Sequence, residues 1–246
     1  MKTIHLILQG KGGVGKSFIS STLAQYILHK DNLPLCIDTD PINKTFSAYQ
    51  MLDVKKLELL ENEQINPRNF DLLIEWISSF EGKNIVVDNG ASTFVPLSHY
   101  FVINDIPELL HSLNHRLMVH TVITGGQAMM DTIHGFSQLA HQFPEPSTFV
   151  VWLNPYWGEI EYEGLSFENM KAFQKHKHRI KGIISIPSLQ KETFGQDLSD
   201  MLQERITFDE AIASSTRTIM VRQRLKMLQR QLFEQIEGLR IFEKSV

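Results

Sequence analysis

Cys36 is the only cysteine in this 246-residue chain, so neither a disulfide nor a cluster of thiolate ligands can be built within it. It lies in the apolar run "LPLCID", which reads as interior, and a reducing, intracellular setting fits. No apolar stretch reaches the ~18 residues of a membrane span. The opening "MKTIHLILQG" lacks the pattern of a cleavable signal, and a cytoplasmic protein without a transmembrane segment is expected. Positive charge is not in excess either. A formal net charge of −4 excludes a general nucleic-acid coat while leaving room for a local basic patch. There is no repeat, low-complexity segment or long linker, so residues 1–246 read as one domain.

What is present alternates. Short apolar, β-rich runs at 3–8, 33–38, 84–89, 117–124, 148–154 and 180–187 end in polar or turn residues. Helical spacing of apolar residues occupies 16–30, 67–81, 96–114, 126–142 and 165–177, with 42–66 left as mixed helix and loop. This alternation predicts an α/β fold: a mainly parallel sheet with helices on both faces. In such a sheet, ligands bind where the carboxyl ends of strands turn into helices, so the polar residues there are the candidates.

The first such end is "LILQGKGGVGKS", with four glycines and two lysines between Gly10 and Lys16. Gly10, Gly15, Lys16 and Ser17 match the phosphate-loop pattern G-x-x-x-x-G-K-[ST]. There, backbone N–H groups surround a phosphate, the lysine reaches its outer oxygens and the hydroxyl ligates magnesium. Gly12, Gly13, Val14 and Phe18 complete the candidate cradle. The helix expected from residue 16 adds the partial positive charge of its N-terminus.

Lys11 is not needed to cradle a phosphate within one chain. The form K-G-G-x-x-G-K-[ST] resembles the deviant phosphate loop of the ParA/MinD class of ATPases. That resemblance implies a P-loop fold, ATP and Mg2+ as cofactors, and an ATP-dependent homodimer in which Lys11 crosses to the partner's nucleotide. It also implies that Asp40, in "CIDTDP", positions the attacking water, while Asp38 supports magnesium and the loop. Helix capping or turn formation is the plainer reading of these two aspartates. Asp88 in "IVVDNGAS" has the look of a strand-end carboxylate that holds magnesium through water. Asn89 and Gly90 follow it where the class usually has a proline-containing turn.

By the same resemblance Asn154 in "FVVWLNPYWG" reads the adenine edge and Pro187 in "ISIPSL" lines the adenine side. Trp152, Tyr156 and Trp157 either flank the base or simply pack. No N-K-x-D follows a late strand, which favours ATP over GTP. The stretches "PLCIDTDP", "DNGASTFVPLSHY", "HTVITGGQA" and "SDMLQERITFD" are similar to a plasmid conjugal-transfer branch of the class. They imply a protein partner in conjugation or plasmid maintenance and a weak, partner-stimulated ATPase.

Thr124, Gly125 and Gly126 read as a plain strand-to-helix turn, or as an anion-binding or partner-facing one. "HKHR" (176–179) reads as a solvated basic segment rather than a metal site. A C-terminal amphipathic helix is expected over about 217–243, with Val221, Leu225, Leu228, Leu232, Ile236 and Leu239 on one stripe. Arg217, Arg222, Arg224, Lys226 and Arg230 give it a basic face for solvent or for non-specific DNA contact. Two other function classes stay open: a small-molecule phosphotransferase or ATP-dependent ligase on the same scaffold, and a nucleotide-dependent scaffold that does not hydrolyse.

Overall fold

The computed structural model describes residues 1–30 and 32–242. Its elements in chain order are β1 (Thr3–Ile7), α1 (Lys16–His29), β2 (Leu35–Asp38), β3 (Lys55–Lys56), β4 (Leu60–Glu61), β5 (Gln64–Ile65), α2 (Asp71–Ser79), β6 (Asn84–Asp88), α3 (Phe94–Ile103) and α4 (Ile106–Ser112). There follow β7 (Arg116–Thr124), α5 (Met129–Gln142), β8 (Thr148–Asn154), β9 (Glu161–Tyr162), β10 (Leu165–Ser166), α6 (Lys171–His176), β11 (Ile180–Ser185), α7 (Gln196–Glu204), α8 (Phe208–Ala213) and α9 (Ile219–Gly238).

Seven strands form one sheet in the order β11-β8-β7-β1-β6-β2-β3, and every pairing is parallel. Parallel pairing needs crossovers, so helices cover both faces. Alternation along β1 sends Ile4 and Leu6 into the layer with Phe70, Phe101 and Phe136 from the α2, α3 and α5 side. Ile7 enters the layer with Ile19 of α1 and Leu228 and Leu232 of α9. Register then places the chemistry. Ile7 pairs with Asp88, Asp38 pairs with Asp88, and Thr124 pairs with Asn154, so these strand ends share one edge of the sheet.

Several expected elements differ. The helix expected over 96–114 is two helices broken at Asn104–Asp105, where Asp105 has φ +49° and Pro107 opens the next turn. Proline fits a helix start but not its interior. Within 165–177 only Lys171–His176 is α-helical, because Leu165 and Ser166 pair with Tyr162 and Glu161 in a hairpin. The stretch 42–66 contains an edge strand, β3, and the β4–β5 hairpin. The C-terminal helix runs Ile219–Gly238 with Thr218 as its N-cap, and residue 243 of the expected span lies outside the described residues.

A buried polar row crosses the α1/α9 side of the sheet. Trp152 Nε1 donates to His120 Nδ1 at 3.0 Å, and His120 Nε2 meets His5 Nδ1 at 3.0 Å. Trp152 is therefore a core residue and not a base platform. Burial, with Arg116 nearby, lowers the His5 pKa to about 3, and burial also holds His120 well below the usual range.

Candidate functional site

β1 delivers the chain into the loop, and α1 begins at Lys16 with no side chain capping its first amides, which leaves them free for an anion. Gly13 and Gly15 hold φ values of +72° and +103°, a region that favours glycine. Lys16 is buried and its Nζ donates to the Lys11 carbonyl at 2.9 Å across the loop. Burial lowers the Lys16 pKa, opposed by Asp88 and Asp40. Val14 is buried, Gly12 is exposed, and Phe18 packs against the α1/α9 core.

Asp88 is the hub. Its Oδ2 accepts from Ser17 Oγ at 2.6 Å and its Oδ1 from Ser20 Oγ at 2.7 Å. Burial raises its pKa to about 7 despite both hydroxyls. Ser20 escaped the sequence reading, although its three-residue spacing from Ser17 puts both hydroxyls on one helix face. Asp38 accepts from the backbone N–H of Asp40 and of Ser47, each at 2.9 Å, so it braces the segment after β2. Burial raises its pKa as well.

Asp40 accepts at Oδ1 from Ile42 N at 2.9 Å and Asn43 N at 3.0 Å, and at Oδ2 from Asn43 Nδ2 at 3.2 Å. The turn-forming role is thus present. Its carboxylate also lies over Gly90, where a Cβ would come within 2.5 Å of Asp40 Cγ. Asn89 joins this second turn by accepting from Thr93 Oγ1 at 2.6 Å.

The donors available to a cation are a serine hydroxyl and carboxylates, all oxygen, which suits Mg2+. Among the described residues no three His, Cys, Asp or Glu side chains converge on a metal position, "HKHR" included.

Lys11 lies at the exposed rim with its Nζ 2.7 Å from Asp131 Oδ2 at the start of α5. Nothing in the sequence pointed to Asp131, which is 120 residues away. Asn154 is buried. Its Nδ2 donates to the Val14 carbonyl at 2.9 Å and its Oδ1 accepts from Tyr156 N at 3.2 Å, so its observed role is to clamp the phosphate loop. Pro187 follows Ile186, whose N–H donates to the Leu153 carbonyl at 2.9 Å at the end of β8, and it lines a cleft of about 460 Å³ with Met227 and Leu228 of α9. Trp157 Nε1, by contrast, reaches the Gly13 carbonyl at 3.4 Å.

The basic face of α9 is partly spent. Arg224 pairs with Asp197 of α7 at 2.5 Å, Arg217 with Glu204 at 2.7 Å, and Arg230 with Glu234 at 3.7 Å. Two arginines of the expected basic face, Arg217 and Arg224, are thus tied to α7.

Solved structures share this architecture. MinD of Aquifex aeolicus aligns over 100% of this chain and 98% of its own, with a TM-score of 0.56 at 18% identity. MinD of Pyrococcus horikoshii, complexed with Mg-ADP, covers 100% of both chains with a TM-score of 0.55 at 14% identity. A putative plasmid partition protein of Borrelia burgdorferi bound to AMPPNP covers 96% of this chain and 100% of its own, with a TM-score of 0.51 at 15% identity. No family model matches the chain. Sheet order, glycine loop and strand-end aspartates thus define an α/β P-loop protein of the ParA/MinD type. Within that class the chain belongs to the TraL family: it is 57% identical to Protein TraL of Escherichia coli over 238 residues, 97% of this chain and 98% of that relative.

Proposed function

We propose that the chain is an ATP-binding and hydrolysing dimerisation switch that serves plasmid conjugative transfer or maintenance. The observation that carries the reading is the division of labour between two lysines. Lys16 is buried across the cradle, while Lys11 stands at the rim in an exposed ion pair with Asp131. An exposed pair of this kind contributes little to stability, so Lys11 can exchange Asp131 for a second subunit's phosphate at small cost. In this reading Mg2+ sits on Ser17 with Asp38 and Asp88 supporting it, and neutralises charge on the phosphates when bound. Lys16 and the α1 amides hold the outer phosphates. Asp40 orients the attacking water. Asn154 holds the loop, and its second amide proton and second lone pair remain for the adenine edge.

Light scattering after gel filtration, on Asp40→Ala with Mg2+ and ATP, with ADP, and without nucleotide, tests the switch. The mass doubles with ATP alone. An unchanged mass with ATP demonstrably bound would refute the dimer and bring a phosphotransferase or ligase forward.

One observation favours a non-hydrolysing scaffold as the second reading: three donors from its own turn occupy the Asp40 carboxylate. Phosphate release by the unaltered chain, lost in Asp40→Ala, decides against it.

A further inference from the structure

Tyr156 and Trp157 are large aromatics left 70% and 59% exposed directly beside the phosphate loop. Their rings meet edge to face with centroids 4.9 Å apart, and Trp157 is anchored to the Gly13 carbonyl. The segment beneath them is held as well. A Cβ on Gly125 would lie 2.1 Å from the Gly158 carbonyl oxygen, and one on Gly126 would lie 2.5 Å from that of Trp157. The glycines of the β7–α5 turn therefore exist as a bed on which this aromatic turn rests. Such contact also answers what "TGG" is for: it is a plain turn in path, built to let another backbone approach.

An exposed aromatic pair on a stiff support loses little entropy when covered, and residues of this kind anchor interfaces. The same rim carries Lys11 and Asp131, already at ion-pair distance, and Glu159 is exposed two residues beyond Trp157. A second copy turned about a two-fold axis so that each Lys11 reaches the other subunit's loop, as proposed above, also covers the aromatic turn that lies beside that loop.

We infer that Tyr156 and Trp157 form the apolar anchor by which two copies of this chain associate over the phosphate loops. This rests on the dimerising switch proposed above and adds to it the residues that hold the two subunits together. The nucleotide triggers the association and the aromatic pair stabilises it.

The test uses the full chain in the Asp40→Ala background, with Trp157→Ala, Tyr156→Ala and Trp157→Phe added singly. Dimer dissociation constants are measured by light scattering over a concentration series with Mg-ATP, and nucleotide affinity by titration with a fluorescent ATP analogue. Trp157→Ala weakens the dimer about thirtyfold, the size expected of an interface anchor, Tyr156→Ala weakens it less, and Trp157→Phe retains most of it. Analogue affinity of Tyr156→Ala, at concentrations where it is monomeric, changes less than about twofold. Trp76 and Trp152 are the other tryptophans, and Trp152 is wholly buried. ATP should therefore shift tryptophan emission to shorter wavelength in the parent and not in Trp157→Phe.

If Asp40→Ala itself fails to double with ATP, the switch fails and the anchor with it. If it doubles while Trp157→Ala and Tyr156→Ala double equally well, the anchor alone is overturned. Loss of analogue binding in a Trp157→Ala chain with parental circular dichroism would overturn it too, by assigning the indole to the nucleotide.

Discussion

Gly90 illustrates how a single residue sets the geometry of this site. Its missing Cβ leaves room for the Asp40 carboxylate, whose Cγ would otherwise lie 2.5 Å away. Gly90→Ala must displace Asp40, the residue we place beside the attacking water, or push back the turn after β6. We expect phosphate release to fall about tenfold or more, with stability reduced by ~1–3 kcal/mol as in other overpacked sites. Parallel phosphate-release and thermal-unfolding measurements check both. The departure from a proline-containing turn at Asn89-Gly90 thereby gains a physical reason: a proline ring at 90 would occupy the space that Asp40 fills.

At the scale of elements, α9 and the β1–β7–β8 strands carry opposite lessons. The α9 stripe was legible from spacing, because apolar residues three and four apart share a face, and Leu232 is indeed fully buried. Leu232→Ala should cost ~2–5 kcal/mol in denaturant unfolding, whereas Met220→Ala, on the exposed side, stays within ~0.5 kcal/mol. The basic face was legible as charge but not as function. Arg224→Glu breaks the pair with Asp197 and lowers Tm, so its effect on DNA binding would report folding; Lys226→Glu, at an exposed position, is the cleaner probe. Across β1, β7 and β8, the His5–His120–Trp152 row is stable with neutral imidazoles. Both histidines have folded pKa values below 6.5, so the unfolded chain binds more protons as pH falls through 6.5 toward 3. Stability is therefore full above pH 6.5 and lost below it, approaching about 1.4 kcal/mol per pH unit for each imidazole. Urea midpoints between pH 7.5 and 5 should show this fall, and His5→Gln with His120→Gln should flatten it.

For the whole molecule, the site spans elements that only the sheet brings together. The loop after β1, the segments after β2 and β6, and the ends of β7 and β8 meet along one edge. Ligand that binds only this assembled edge stabilises the entire fold by mass action. Mg-ATP at one hundred times its dissociation constant should add ~2.7 kcal/mol to the unfolding free energy, read as a concentration-dependent rise in Tm. Lys16→Ala should abolish the rise. The described residues include no helix long and apolar enough to cross a membrane, and the folded edge is open to solvent at Lys11, Asp131, Tyr156 and Trp157.

The sequence by itself determined the local chemistry. The glycine loop needs positive φ at Gly13 and Gly15, the strand–loop–helix order follows from the change of apolar period, and Asp38 and Asp88 end β-rich runs where a parallel sheet places its ligands. Those are short-range facts, carried by residues within one turn or one strand of each other. Tertiary structure decided what depends on distant neighbours. It paired Lys11 with Asp131, turned Asn154 onto the Val14 carbonyl, sank Trp152 while leaving Trp157 at the loop, and consumed Arg217 and Arg224 in α7. Each depends on a group in another element, whose position is set by sheet register and helix packing, and no local pattern encodes that register.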